Sequence, residues 1–173
     1  MKAKAIIINA SILVLLALSS FNVYASQQCS DRDKKQAKET LINFFTYLHS
    51  GHFKEAVALF EPWKNGEGEQ RSSWEGLSSF SLPEDRNDKA KVLSNYCKAV
   101  GTCLKVDVIN IEKIAKGKYK MRVQFFKDNG SVYIFTPCCG ASEEAMPLRA
   151  VFTYYVDKIN GVYLVRTPPL YRP

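Results

Sequence analysis

The sequence has few of the side chains that most often carry metal or redox chemistry. It contains two histidines in 173 residues, His49 and His52, and Gly51 interrupts a predicted helix between them. No cysteine or carboxylate stands near them at ligand spacing, so we expect both imidazoles at the surface or at a helix end. No Cys-x-x-Cys pair is present either, which argues against a thioredoxin-like redox site. We therefore expect no metal and no other cofactor.

Long apolar runs are also scarce, and the one that is present lies near the N-terminus. Residues 6–18 are almost wholly apolar after a short basic start, and small residues follow at Val23-Tyr24-Ala25. This pattern predicts a cleaved signal peptide over 1–25. An uncleaved anchor would need about 20 apolar residues. A lipoprotein would need Cys29 directly at the cleavage point, and three residues intervene.

We accordingly expect residues 26–173 to form one mature domain, secreted or periplasmic, without a membrane span. A chain of that length fits a single domain of about 100–200 residues. Its apolar content, 46% of the whole sequence, is sufficient for a core and excludes general disorder.

The first part of this domain has helical periodicity. A helix is predicted from Ser30 to a stop at Gly51, followed by a short helix over 53–60 and a third over 88–100. The apolar stripe of the first helix consists of Ala37, Leu41, Phe44, Phe45 and Leu48. Residues 62–83 form a long connection with embedded tryptophans. This connection either contains a short helical turn near Trp74 or folds over the core as a lid.

After residue 101 the apolar period changes from 3.6 to 2, which predicts strands. The alternation shifts parity at Val108-Ile109, which indicates a β-bulge. Turn sequences at 128–130 and 160–161 predict hairpins, with strands at 132–135, 150–156 and 162–167. Helices first and antiparallel strands after predict an α+β fold, with three N-terminal helices packed on a curved antiparallel sheet.

The element order and one local motif resemble the nuclear-transport-factor-2-like superfamily. The motif Leu-x-x-Gly-x-[Phe/Tyr]-x-x-Ala is met at Leu48, Gly51, Phe53 and Ala56. The resemblance implies a cystatin-like cone fold, in which a curved sheet wraps a long helix. Residues facing the inside of such a cone would line any pocket. The candidate lining residues are Phe44, Tyr119, Met121, Val123, Phe152 and Tyr154.

The resemblance also allows a comparison with the ketosteroid isomerases of that superfamily. Their oxyanion tyrosine falls at Phe44 in this sequence, and their protonated aspartate falls near 151–153, where no acid stands. The general-base aspartate falls in the loop after the second helix, where Glu67 or Glu69 is only a guess. The comparison implies a non-catalytic member.

Five cysteines in an exported chain favour disulfides. We expect two bridges among Cys97, Cys103, Cys138 and Cys139, with Cys29 outside them. The first two bracket the turn from the third helix into the sheet and can staple that corner. The adjacent pair is poorly placed to bind zinc, and a bridge between neighbours would be strained.

A run of cations marks the hairpin formed by the first two predicted strands, 104–111 and 119–125. It consists of Lys113, Lys116, Lys118, Lys120, Arg122 and Lys127. The simplest interpretation is a solvated basic face, and the alternative is a docking surface for an anionic membrane, polymer or protein. Nucleic acid is not expected, because the aromatic residues alternate with these cations on the opposite face.

Three functions are compatible with these patterns. The first is an exported non-catalytic binding or accessory domain, with a small apolar ligand in the cone. The second is a small acid/base hydrolase or isomerase that uses the same pocket. The third is a subunit of an envelope assembly that docks another protein through the basic hairpin. The missing isomerase groups favour the first and third.

Overall fold

The computed structural model describes residues 31–63, 74–79, 81–99, 103–136 and 142–169. The chain forms two compact units, residues 1–35 and 36–173, and of the first unit only 31–35, the helical start of α1, is described. The predicted signal peptide lies outside the described residues.

The described residues contain four α-helices and one antiparallel sheet, so the α+β class is confirmed. The helices are α1 (31–49), α2 (Phe53–Ala58), α3 (Trp74–Ser78) and α4 (Lys89–Ala99), with a 3-10 turn at Pro83–Asp85 between the last two. The strands are β1 (Lys105–Ala115), β2 (Lys118–Phe126), β3 (Phe152–Ile159) and β4 (Val162–Val165). The strand order is β1-β2-β3-β4.

Helix α1 has the predicted apolar stripe, and the stripe is buried. Each of its five residues is at most 1% exposed: Ala37, Leu41, Phe44, Phe45 and Leu48. The helix ends at Gly51, whose φ of +74° is the left-handed conformation that glycine adopts without strain. The amide of His52 donates to the Tyr47 carbonyl at 2.9 Å and closes the last turn. The predicted stop at this glycine is confirmed.

The helix count exceeds the expected three by one. The additional helix, α3, lies in the long connection 62–83 and buries Leu77 and Ser78. Of the two alternatives for this segment, a short helical turn is therefore present. Helix α4 starts as predicted, because the Asp88 carboxylate accepts the amides of Ala90 and Lys91 at 2.9 and 3.2 Å.

The sheet has the predicted bulge but one strand fewer than the hairpin turns indicated. The register of β1 on β2 shifts between Val108 and Asn110, where the alternation changes parity. The segment 132–135 forms only isolated bridges, one to Phe126 and one from Phe135 to Arg149. It changes partner within three residues, so no continuous ladder develops there.

A parallel contact that the pattern did not predict extends the other edge of the sheet. Residues 59–63, directly after α2, run beside β4, and Phe60 bridges Val165 in parallel. The amide of Val165 donates to the Leu59 carbonyl at 2.8 Å, and the amide of Trp63 donates to the Arg166 carbonyl at 3.2 Å. This contact ties the helical part of the chain to its last strand.

Candidate functional site

The interface between α1 and the inner sheet face is where a cone pocket was expected. Phe44, Tyr119, Met121, Val123 and Tyr154 are at most 1% exposed and belong to one core cluster. Phe152 is half-buried against that cluster. The structure thus brings all six candidate lining residues into one region. That they line a ligand pocket stays a prediction.

Aromatic rings are in close contact across this interface. The ring of Phe45 lies 5.0 Å from that of Phe125 and 5.1 Å from that of Tyr154, both edge-on. The ring of Phe44 stacks on Phe60 at 5.1 Å. These are the favoured separations and orientations of packed aromatic pairs. The helix and the sheet are therefore joined by interlocking rings at the centre of the core.

The hydroxyls of several core tyrosines in the described part of the chain are also buried, and nothing in the sequence pattern distinguishes these residues from ordinary core rings. These hydroxyls belong to Tyr96, Tyr119, Tyr154 and Tyr163. A phenol hydroxyl can stabilise a developing oxyanion, but acid/base catalysis near neutral pH also needs a group that titrates there. Among the described residues, the one buried carboxylate is Asp157, which lies on the opposite face of the sheet.

The positions that the resemblance assigns to the isomerase groups can be located in the structure. Phe44, at the place of the oxyanion tyrosine, is fully buried against other rings. At the place of the protonated aspartate, Phe152 contacts Phe125 at 5.3 Å and Thr153 is exposed. Glu67 and Glu69 lie outside the described residues.

The two histidines at the α1–α2 junction engage different partners. His49 places Nδ1 2.8 Å from the Cys103 carbonyl oxygen and Nε2 3.6 Å from an Asp128 carboxylate oxygen. Because a carbonyl can only accept, Nδ1 is the protonated nitrogen in this contact. His52 stacks on Tyr47 and approaches Glu55 at 3.9 Å. No cluster of three or more potential metal ligands occurs in the part of the chain that the structure describes.

A disulfide joins Cys97, near the end of α4, to Cys103, just before β1. The pairing of these two cysteines at the helix-to-sheet corner is confirmed. The same Cys103 carbonyl receives the His49 imidazole, so α1, α4 and β1 meet at this corner. The predicted second bridge involves Cys138 and Cys139, which lie outside the described residues, as does Cys29.

The outer face of the sheet carries the basic residues of β2. Lys118, Lys120 and Arg122 alternate with the buried residues of the strand, so all three side chains point away from the core. Lys120 lies opposite Glu112 of β1, and Lys118 lies opposite Asp157 of β3.

Arg122 is placed differently from the two lysines. It stands between Asn110 and Thr153 in the register and has no acidic residue opposite it. It is exposed, whereas Lys120 is half-buried. Arg122 is consequently the least compensated cation of this row.

The charge of the whole chain is concentrated in this hairpin. Residues 105–127 contain seven of the 24 lysines and arginines but only two of the 17 acids, which accounts for five of the seven net positive charges. Exposed cations spaced two residues apart on one strand lie about 6.8 Å from each other. This distance is below the Debye length of about 8 Å at physiological salt, so neighbouring cations of the row act together on an approaching anion, whereas Lys118 and Arg122, about 13.6 Å apart, are screened more from each other.

One side of the outer face is covered by the ends of other segments. The ring of Tyr155 contacts that of Trp63 at 4.9 Å and is 4% exposed. Asp157 lies 3.7 Å from the Arg166 guanidinium, and burial raises the pKa of Asp157 despite the opposing effect of Lys118 and Arg166. An aromatic residue therefore does lie on the basic face, but it is covered and unable to stack on a ligand.

A groove on the surface lies between α2 and the start of α4. This groove has a volume of about 620 Å³ and is lined by Gly51, His52, Phe53, Lys54, Glu55, Asp88, Ala90, Lys91 and Ser94. Its Asp88 caps α4, and its Lys91 pairs with Asp85 at 2.7 Å. Asp88 and Lys91 therefore already have partners within the fold.

Comparison with known proteins leaves the chain without an assigned family. No protein-family model matches the sequence, and no curated protein is significantly similar to it. None of the described helices is both long and apolar enough to cross a bilayer.

Proposed function

We propose that this chain is an exported, non-catalytic binding or accessory domain of the nuclear-transport-factor-2-like cone type. It engages an anionic partner through the outer face of the β1–β2 hairpin. The observation that carries the proposal is the excess of five positive charges in residues 105–127, three of whose cations, Lys118, Lys120 and Arg122, point away from the core. The helix–sheet interface, in contrast, is made of interlocking aromatic rings.

The cone architecture is supported by the local geometry of the motif that suggested it. Gly51 has the left-handed conformation that the helix break requires, and Ala56 and Leu48 are buried on either side of it. The α1 stripe packs on the inner sheet face, and β1 carries a bulge, a feature that bends and twists sheets.

Phe44 and Phe152 support the view that this chain lacks isomerase chemistry. They stand at two positions where the resemblance to the ketosteroid isomerases implies catalytic groups. Each presents a ring where a proton donor would be needed, and loss of one oxyanion donor typically lowers the rate by about 10²–10³. The purified domain should therefore not isomerise a ketosteroid above a buffer blank.

A surface mode of binding is favoured over an apolar ligand in the core. Ring centroids about 5 Å apart leave no room for a ligand between them, so a ligand there would have to separate the rings of Phe45, Phe125 and Tyr154. The basic face needs no such rearrangement. It presents cations already directed to solvent, which raise the association rate with anionic partners.

The test is retention of the mature chain, residues 26–173, on an immobilised polyanion such as sulfated dextran. Replacing Lys118, Lys120 and Arg122 together by glutamine should lower the salt concentration needed for elution. A matched variant replaces Lys38, Lys54 and Lys98 by glutamine, which removes the same charge from helices and should leave elution close to wild type. Equal losses in the two variants would show that net charge alone governs binding and would contradict the proposal.

A further inference from the structure

Both tight turns of the sheet lie at the same end. The amide of Lys158 donates to the Gly117 carbonyl at 2.7 Å, which places the end of β3 against the β1–β2 turn. The β3–β4 turn at 160–161 follows directly. We name the surface at this end the sheet tip, and it consists of Lys113, Ile114, Lys116, Lys118, Lys158 and Val162.

The sheet tip combines cations with exposed aliphatic side chains. Ile114 is 46% exposed and Val162 is 55% exposed, and they come from the two neighbouring hairpins. Single exposed aliphatics are common on protein surfaces and need no explanation. Ile114 stands between Lys113 and Lys116 in sequence, whereas Val162 lies on β4 at the other edge of the sheet, so the tip combines lysines with one exposed aliphatic side chain towards each edge.

The lysines of the β1–β2 turn are available to a partner. Lys113, Lys116 and Lys118 are exposed, and within the described ranges no side-chain hydrogen bond or ion pair engages the amino group of Lys113 or Lys116. Lys158 already makes a contact within the fold, since its amino group lies 5.1 Å above the centre of the Tyr163 ring.

Among the described residues, three acids lie near this end, and one of them, Asp157, stands opposite the turn lysine Lys118 in the register. Asp157 is 8% exposed and faces Arg166. Glu112 lies opposite Lys120 in the register, farther from the β1–β2 turn than Lys118 is. Glu39 of α1 lines a groove that also includes Val162, so it is the acid closest to the aliphatic part of the tip.

We propose that the sheet tip docks end-on onto a bilayer surface that contains anionic lipids. This inference rests on the proposed function: it keeps the basic β1–β2 hairpin as the binding element, places the contact at the turn end of that hairpin, and specifies the partner. Lysines attract the negative headgroups, and each contributes a factor of about five in affinity near such a surface. Ile114 and Val162 enter the boundary between headgroups and acyl chains, as apolar residues of peripheral proteins do.

The aliphatic residues decide between a bilayer and a soluble polyanion. A polymer of sulfate or phosphate groups is recognised by cations alone, and exposed isoleucine and valine add nothing to its binding. A bilayer interface interacts with cations through its headgroups and with aliphatic side chains through its acyl chains. The combination at the tip therefore favours lipid as the source of the negative charge.

The test uses the mature chain, residues 26–173, in sedimentation with vesicles of phosphatidylcholine containing about a third phosphatidylglycerol. We expect binding to these vesicles and none to pure phosphatidylcholine. The variant Ile114→Ser with Val162→Ser should bind the anionic vesicles several-fold more weakly, yet elute from sulfated dextran like wild type. The control Leu82→Ser with Leu148→Ser removes two aliphatics of similar exposure, 63% and 51%, away from the tip, and should bind like wild type.

Each result has a defined meaning, provided that circular dichroism shows the variants to be folded. Retention on sulfated dextran without vesicle binding would overturn the lipid inference and leave the proposed function standing. Vesicle binding that is unchanged by the Ile114→Ser, Val162→Ser variant would also overturn it, because charge alone would then explain the docking. Failure to bind either material would overturn both proposals.

Discussion

Removing the Cys97–Cys103 bridge should weaken the fold by an amount that follows from its position. The cysteines are six residues apart, and the chain-entropy relation for so short a loop gives about 2.3 kcal/mol at 25 °C. Both residues are buried, at 5% and 0% exposure, so alanine in place of the two sulfurs adds a packing loss of about 1–2 kcal/mol. The double variant Cys97→Ala, Cys103→Ala should therefore lose about 3–4 kcal/mol of unfolding free energy.

The assay is urea unfolding of residues 26–173, followed by circular dichroism without reductant. With a denaturant dependence of about 2 kcal/mol per molar, the midpoint should fall by roughly 1.5–2 M. Wild type in reductant should lose the entropic part of this effect. Any additional fall when the double variant itself is reduced would reveal the second predicted bridge among the remaining cysteines. A double variant within about 0.5 M of wild type would refute the reasoning, since the corner would then be stable without its covalent link.

Three further perturbations test the core, a turn and a buried charge. Phe45→Ala should cost about 3–5 kcal/mol in urea unfolding and Phe152→Ala clearly less, because the first ring is fully buried and the second only half; equal costs would contradict the packing. Gly117→Ala should lower the melting temperature more than Gly130→Ala, although both have positive φ, because a Cβ at Gly117 meets the Lys158 Cβ at 3.0 Å; the reverse order would contradict this. Burial raises the pKa of Asp157 in the folded protein, so the unfolding free energy should fall as pH rises from about 3.9, the ordinary value of an aspartate, through the raised pKa. Asp157→Asn should remove this fall, and wild-type and variant stabilities that change in parallel with pH would contradict the assignment.

Local patterns predicted the helical part of the fold well. The stripe of α1 is set by the 3.6-residue period, and the stop at Gly51 is set by a backbone conformation that glycine favours. The bulge near Val108 was visible because a parity change in the alternation requires an extra residue in one strand. These features depend on neighbours in sequence, so the sequence alone contains the relevant information.

Contacts between distant segments were not predictable in the same way. The parallel bridge between Phe60 and Val165 joins residues that no periodicity connects. The contact of Trp63 with Tyr155 depends on the same parallel bridge, because residues 59–63 run beside β4. This contact covers one side of the basic face. The segment 132–135 has a strand-like alternation but exchanges partners within three residues, which only the tertiary arrangement determines.

The candidate site was predicted in part. The outward orientation of Lys118, Lys120 and Arg122 followed from alternation with buried residues and is present. The positions of Glu112 opposite Lys120 and of Asp157 opposite Lys118 could not be read from the sequence, because cross-strand register is set by the tertiary pairing of the strands and, for β1 on β2, also by the bulge. The register singles out Arg122 as the cation without an acidic neighbour.

Amide chemical-shift mapping with a short-chain polyphosphate is the most direct test of the central claim, that this domain binds anions through its basic sheet face. Spectra of isotopically labelled residues 26–173 would be recorded during titration at physiological salt. We expect the largest shifts at the amides of residues 105–127, centred on Arg122, and their loss in Arg122→Gln. Shifts concentrated in α1, or an absence of shifts at saturating polyphosphate, would contradict the account.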